Sequence, residues 1–474
     1  MKKGKIIEGI EITDWMSDGK GFARLESGQV IFVDKAFPGD IVNAKVTKKK
    51  KDFLEAKITE FVQKSPDRKE AFCDYYGTCG GCKLQDVDYN KQLEYKQKVV
   101  VDAFKRIAKV EVPEVRTIMG SAKTTEFRNK LEYTYTAEEY VKDPSLLKGD
   151  DFYEKPPALG FHVPGRFDWV IDVEKCFLQK EPSNLIRNAS RVNALENDYA
   201  FYNMRSNVGF LRNLTIRTTE FGESMVILSA SSTSHGNKAA CITEIETHLN
   251  HLINQFPDVT SWNYVVNDKG NDTIFDLDIV NHNGKDHIIE ELDGLKFKIQ
   301  PKSFFQTNTD GALKLYRTAK EFADLKGDEM VFDLYCGTGS ISNYIANDAG
   351  SVVGIELIED AIKDAKINSE MNKIDNTHFY AGDVKDYFVD DTFGKHGKPE
   401  VLITNPARAG MHADVIGSIL KIDPKRIVYV SCNAATQARD VQLLSEKYHV
   451  TKMQTVDLFP HTAHVENVIV MERN

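Results

Sequence analysis

From about residue 310 onward, short apolar runs alternate with stretches of helical texture. EMVFDLY leads through a glycine turn into SISNYIAND, SVVGIE into EDAIKDAKINSEMN, VLITN towards ADVIGSILKI, and RIVYVSC closes the series. Parallel strands need long crossovers, which helices supply, so a β-α-β-α order specifies a parallel, doubly wound sheet. The remainder of the chain has a different texture. Residues 1–62 read as short strands broken by turns: KIIEGIEIT, QVIFVD ahead of Pro38-Gly39-Asp40, and IVNAKVTKK. That pattern suggests a small β-barrel, a common platform for single-stranded nucleic acid. Residues 88–108 carry Leu93, Val100, Ala103, Phe104 and Ile107 at helical spacing, with Asp88 or Asn90 at the cap. From about 110 to 300 the chain is strand-rich, with KLEYTY, ALGFHV and LTIRTTE as strands and an amphipathic helix over 242–256.

The chain has 474 residues, 41% hydrophobic and 28% charged. At roughly 100–200 residues per domain this length suggests a multidomain protein. The expected division is a β-barrel at 1–62, a strand-rich central domain at 63–300 and an α/β domain at 301–474, with the 88–108 helix packing on the last. No apolar run reaches the roughly 20 residues a bilayer span needs, and no signal peptide is visible at MKKGKIIEGIEITD. The expectation is a cytoplasmic protein with no membrane partner, acting as a monomer. The net charge of −10, from 61 basic and 71 acidic residues, speaks against a blanket nucleic-acid coat. A local basic face such as Lys48-Lys49-Lys50-Lys51 can still sit in an acidic total, though a lysine run is as often a solvated hairpin tip.

Three short features carry chemistry. The first is Cys73, Cys79 and Cys82, a C-x5-C-x2-C spacing. A reducing cytosol argues against disulfides and towards metal or catalysis, and either zinc or an iron–sulfur cluster needs a fourth ligand. The second is the turn Val331–Ser340, which runs off a strand through Gly337-Thr-Gly339 into a helix. Glu356 ends the following strand, where a carboxylate can accept ribose hydroxyls. The third glycine of the dinucleotide fingerprint is missing. This turn resembles the S-adenosylmethionine turn of Rossmann-like methyltransferases more than a nicotinamide site, and Ala381-Gly382-Asp383 resembles the adenine contact of that fold. The third feature is Cys432, at the carboxyl end of an apolar strand between Ser431 and Asn433. A buried inert cysteine is the ordinary alternative there. Downstream, Glu466 opens the apolar run VENVIVM. Half-buried, it would have a raised pKa suited to base work; facing solvent, it would not.

Taken together, Ser303-Phe304-Phe305-Gln306-Thr307-Asn308, DLYCGTGS, Asn405-Pro406-Ala407-Arg408, SCN and DLFPHTAHVE resemble the RNA uracil-C5 methyltransferase family, in the family's order over 301–474. Residues 1–62, with GKGFAR at 19–24, resemble its TRAM domain, an RNA-binding barrel, and Glu126–Lys130 resembles its substrate-side strand. The resemblance implies Cys432 as the nucleophile and Glu466 as the proton acceptor. It implies Gln306, Tyr335, Gly337, Ser340, Glu356, Asp383 and Asn405 around S-adenosylmethionine, and Arg128 and Phe305 on the substrate side. Cys73, Cys79, Cys82 and Cys176 would hold a 4Fe-4S cluster, with zinc the alternative. The implied partner is RNA, 23S rRNA ahead of tRNA.

The sequence departs from the family pattern in three places. Asn405 and Ala407 replace the Asp and second Pro of Asp-Pro-Pro-Arg, Ala434 replaces the Pro after Ser-Cys-Asn, and Ser340 replaces Asn. Asn405 keeps the shape of Asp and loses its charge. A weakly active RNA-binding or RNA-folding factor is therefore the second reading. A third, radical chemistry at the cluster, wants a tighter C-x3-C-x2-C spacing.

Overall fold

The computed structural model describes residues 3–141, 155–388 and 390–474. The N-terminal part is a six-stranded sheet of Ile6–Glu11 (β1), Asp14–Trp15 (β2), Lys20–Arg24 (β3), Val30–Asp34 (β4), Ile41–Lys49 (β5) and Phe53–Gln63 (β6), in the order β1-β5-β6-β4-β3-β2. Its core is built from one face of its own strands, including Ile10, Ile31, Val33, Val42, Val46 and Leu54. A sheet that buries one face against itself has to curl, as the barrel reading expects.

Helix Tyr89–Ala103 (α1) follows, capped by Asp88, whose carboxylate accepts from the Asn90 amide at 2.9 Å. The helical pattern expected to 108 continues as a π-turn over Phe104–Ala108 and stops at Lys109, which turns left-handed at φ 58°. Strand Glu114–Met119 (β7) comes next. The middle of the chain supplies Lys130–Thr136 (β8), Ala158–His162 (β9), Val170–Asp172 (β10), helix Ser183–Glu196 (α2), Leu211–Thr218 (β11), Ser224–Ala230 (β12), helix Lys238–Gln255 (α3), Ser261–Val266 (β13) and Val280–Gly284 (β14). These strands form one seven-stranded sheet, β10-β9-β8-β11-β12-β13-β14. The hairpin Ile288–Leu292 (β15) and Leu295–Ile299 (β16) leads into helix Thr309–Ala323 (α4).

The C-terminal elements are Met330–Leu334 (β17), Ser340–Ile345 (α5), Ser351–Glu356 (β18), Glu359–Met371 (α6), Thr377–Ala381 (β19), the short helices Val384–Tyr387 (α7) and Asp390–His396 (α8), Val401–Thr404 (β20), Ala413–Ile422 (α9), Arg426–Ser431 (β21), Ala434–Leu444 (α10), Tyr448–Val456 (β22) and Glu466–Arg473 (β23). Their sheet runs β19-β18-β17-β20-β21-β23-β22-β7. The first five are mutually parallel, as the sequence pattern specifies, and β23 is antiparallel to both neighbours. Chain order reverses between β17 and β20. In open α/β sheets that switch point, at the carboxyl ends of the strands, is where ligands bind.

Two segments expected in the central unit side with the C-terminal one. Strand β7 pairs in parallel with β22 and satisfies that sheet's open edge. Ile288, Leu292, Phe297 and Ile299 of the hairpin share a core with Ala312, Leu315 and Phe322 of α4. Helix α1 also packs on this unit, through Val100 and Phe104. No described helix is long and apolar enough to cross a membrane.

Helix α1 is fastened by charge as well as packing. Lys96 and Asp457 are fully buried, with Nζ donating to Oδ1 at 2.7 Å and to the Phe459 carbonyl at 3.0 Å. Burial lowers the Lys96 pKa, and the Asp457 charge opposes that shift. Lys96→Met should cost about 3–5 kcal/mol, because it strands a buried carboxylate. Adding Asp457→Asn should return part of that loss. Urea denaturation of the two variants checks both.

Candidate active site

A cavity of about 1580 Å³ opens between the central sheet, the cysteine loop and the carboxyl ends of the C-terminal strands. Its floor is the glycine turn after β17. Tyr335 there adopts a left-handed φ of 61°, uncommon for a bulky residue, and Gly337 and Gly339 follow at 55° and 72°. Gly339 lacks room for a side chain, since a Cβ would stand 2.9 Å from Ala365 and Phe379. Gly337 has nothing within 4 Å of that position. The Glu356 carboxylate is fixed at both oxygens, accepting from the Gly337 amide at 3.2 Å and the Ile358 amide at 3.0 Å.

Beneath the turn, burial pushes the Asp333 carboxyl up to about 7. Its Oδ2 accepts from Ser342 Oγ at 2.5 Å, while Oδ1 has no protein partner. This wall suits a ligand carrying hydroxyl donors and positive charge. Gln306, Tyr335, Gly337, Ser340, Glu356 and Asn405 all line it. Asp383 does not: it caps α7 and pairs with Lys385 at 3.3 Å. Its charge still reaches Tyr335, whose hydroxyl is pushed up to about 12 by burial first, then by Asp383, Asp440 and Glu356.

The placing of Cys432 and Glu466 follows from strand register. Ser431 ends β21 partnered with Asn467, the second residue of β23, so Cys432 and Glu466 follow at adjoining strand ends, close enough for the Glu466 charge to raise the thiol. Both line the cavity. Glu466 is 4% exposed, and burial pushes its carboxyl up to about 8, with Arg408 pulling the other way. Burial also raises the Cys432 thiol, helped by the Glu466 charge and opposed by Arg408. Glu466 is therefore a buried carboxyl rather than a solvent-facing strand start. Arg408, named in the sequence only as part of a motif, is the cation that serves both groups. Its backbone carbonyl accepts from Asn433 Nδ2 at 2.9 Å and Thr436 Oγ1 at 3.1 Å, which ties the Asn405–Arg408 segment to the Cys432 turn. His464 also faces the cavity and was not foreseen. Its pKa falls to about 4, by burial first and then Arg408, so it is neutral at pH 7.

On the substrate side, Phe305 touches the cavity but is 4% exposed and packs in the core near Phe297. Its neighbour Phe304 lines the same cavity at 67% exposed, and is the ring free to meet a ligand face. Arg128 lines the opposite wall, where Nε donates to the Lys130 carbonyl at 2.9 Å. Burial lowers its pKa, against the charges of Cys176 and Cys82. Cys73, Cys79, Cys82 and Cys176 all line this wall. Cys82 is pushed up to about 12 and Cys176 to about 11, by burial and then by the other thiols of the set. The fold thus brings together four cysteines that the sequence separates. Among the described residues, no group of three or more His, Cys, Asp or Glu side chains is arranged to hold a metal ion.

Comparison with known proteins decides the family. A TRAM domain model matches residues 2–59 and a methyltransferase domain model residues 325–466. A Bacteroides thetaiotaomicron protein named as an uncharacterized RNA methyltransferase is 49% identical over 96% of this chain and 99% of its own. A Porphyromonas gingivalis protein of the same name is 45% identical over 98% of this chain and all of its own. The chain belongs to the RNA methyltransferase family. Among solved structures, a Pyrococcus abyssi tRNA (uracil-54, C5)-methyltransferase in complex with S-adenosyl-L-homocysteine superposes with a TM-score of 0.73 at 28% identity, covering 98% of this chain and all of that one. The methyltransferase domain model spans the Gly337 turn, Glu356, Asn405, Cys432 and Glu466, while Gln306 lies ahead of the matched residues.

The raised Glu466 pKa couples folding to pH. The folded chain holds this proton above the free carboxyl's 4.5. The stability it adds is complete below that value and is lost as pH rises through about 8. Glu466→Gln should flatten that decline and be more stable than the parent at pH 9, as read by urea midpoints at pH 5 and pH 9.

Proposed function

We propose that this protein methylates C5 of a uridine in RNA with S-adenosylmethionine as donor, through a covalent bond from Cys432 to C6 of the base. The observation that carries this reading is that Cys432, just past the end of β21, and the buried Glu466 of the paired strand β23 line one cavity with the Gly337–Glu356 wall. Uracil C5 is a poor nucleophile. Addition of the Cys432 thiolate to C6 pushes an electron pair towards O4, and the resulting enolate is nucleophilic at C5. When bound, S-adenosylmethionine supplies an electrophilic methyl group to C5. Glu466 then takes the C5 proton, the C5–C6 double bond re-forms, and Cys432 leaves as thiolate. Burial of Glu466 supports the assignment, because a carboxyl with a pKa near 8 is a far stronger base than an exposed one. Gln306, Tyr335, Gly337, Ser340, Glu356 and Asn405 are the proposed donor-side contacts. Arg128 holds the RNA side, with Phe304 taking the role expected of Phe305. Asp383 acts through its charge on Tyr335 rather than from the wall.

The four-cysteine wall is proposed to hold a 4Fe-4S cluster. Zinc is the alternative, since a set of four thiolates suits either metal. The proposed substrate is 23S rRNA, from the pairing of a TRAM barrel with that cysteine wall. The fold likeness to the archaeal tRNA enzyme favours tRNA as a second reading. A weakly active RNA-binding factor would fit Asn405 but leaves the Cys432–Glu466 pair without a use.

Purified protein, methyl-labelled S-adenosylmethionine and either 23S rRNA or bulk tRNA test the proposal directly. Label should appear as 5-methyluridine in the rRNA, and Cys432→Ser should reduce it at least about 1,000-fold. Label absent from uracil C5 in both RNAs would refute the activity. Label confined to tRNA would refute the rRNA assignment alone.

A further inference from the structure

Three phenylalanines form a row on the outward face of the N-terminal sheet. Phe22, Phe32 and Phe53 lie on β3, β4 and β6, which are adjacent in the sheet. Ring centroids are 6.0 Å apart for Phe22–Phe32 and 5.3 Å for Phe32–Phe53. All three are half-buried, and none belongs to the core of the sheet, which packs on the opposite face from Ile31, Val33, Leu54 and Ala56. The rings therefore touch each other and solvent. Cross-strand aromatic pairs stabilise a sheet, and a row of three with one side left to solvent also offers ring faces to a ligand.

Charge and position identify what covers it. At one end of the row, the turn between β5 and β6 is closed by the Lys50 amide donating to the Phe53 carbonyl at 2.9 Å. That sets the exposed Lys48–Lys51 run beside Phe53. Lys48 pairs with Glu55 at 3.3 Å, while Lys49, Lys50 and Lys51 have no acidic partner among the described residues. At the other end, β3 leads back from Phe22 through Lys20 to the Gly19 turn. Lys20 pairs there with Asp18, and at 3.8 Å with Glu55. A Cβ at Gly19 would sit 3.4 Å from Ala463, between Thr462 and His464 of the cavity wall. The row thus runs from a cationic turn to the rim of the active site.

We infer that the Phe22–Phe32–Phe53 row is a stacking platform for unpaired RNA bases next to the target uridine, with Lys49, Lys50 and Lys51 neutralising the phosphates of the same strand. The inference deepens the proposed function and rests on its reading of RNA as substrate. Phenylalanine faces take any base, and lysines take the backbone, so the platform holds single strands without reading sequence. It would keep a segment unstacked beside the cavity, which a uridine must enter to reach Cys432.

The full-length protein serves for the test, with a fluorescein-labelled single-stranded 12-mer and a blunt 12-base-pair RNA duplex read by anisotropy. Phe22→Leu/Phe32→Leu/Phe53→Leu keeps the face apolar and removes the aromatic rings. It should weaken single-strand binding about tenfold or more, leaving duplex binding and the salt dependence unchanged. Lys49→Gln/Lys50→Gln/Lys51→Gln should instead lower the slope of log K against log salt by about 2. Parental single-strand affinity in the leucine variant would overturn the inference, whether the face meets a protein or nothing. In the unaltered protein, photo-crosslinking to 5-bromouridine RNA should label Phe22, Phe32 or Phe53. Adducts found only outside this sheet would overturn the inference even if the leucine variant fails to fold. An unaltered protein that crosslinks here yet transfers no methyl group would refute the uracil reading and leave the platform standing.

Discussion

The Lys96–Asp457 ion pair holds the active site to the rest of the molecule. Two opposite charges at full burial are costly unless every remaining lone pair and proton is used. Most are used here: Lys96 donates to two acceptors, and Asp457 also accepts from Tyr89 Oη and the Phe459 amide, both at 3.0 Å. The loop fixed this way, 457–465, ends at Glu466. Its His461 carbonyl accepts the Lys83 and Leu84 amides at 2.8 and 2.9 Å, just beyond Cys82. Its Ala463 packs with Trp15 and Phe37 of the N-terminal sheet. Barrel, cysteine loop and α1 all bear on the segment that leads into Glu466.

That positioning matters because the proposed chemistry asks two groups to share one cavity. Burial raises both Cys432 and Glu466, and the Glu466 charge raises the thiol further. Arg408 offsets both, from a segment tied to the Cys432 turn by Asn433 and Thr436. With Asn405 in place of Asp, this pocket carries one negative charge fewer, which leaves Arg408 more of its field for Cys432 and Glu466.

The parallel sheet was legible because β17, β18, β20 and β21 are apolar runs separated by helical stretches, a local signal. Glu356 was legible for the same reason: it ends its strand, and the turn it faces is contiguous in sequence. What was not legible depends on contacts distant in the chain. Periodicity says nothing about β7 joining β22, or about Ile288–Ile299 siding with α4. Adjacent phenylalanines look alike in sequence, and only the packing of Phe305 near Phe297 reveals Phe304 as the exposed ring. Asp383 sits in the expected motif, yet the α7 cap turns its carboxylate towards Lys385. Arg408 and His464 gain their roles from the cavity they share, which no motif spacing describes. The four cysteines were legible as a set only through family resemblance, since Cys176 lies far from the other three in sequence.

The proposed covalent step offers the most direct measurement. A 5-fluorouridine in the substrate RNA lets the thiolate add and the methyl transfer proceed. Fluorine cannot leave C5 as a cation, so elimination stops and the adduct persists. With S-adenosylmethionine present, the protein should form an RNA complex that survives denaturation, and mass spectrometry should find the bond on Cys432. No such complex, or one bonded through any residue other than Cys432, would contradict the assignment of the reaction to this pair.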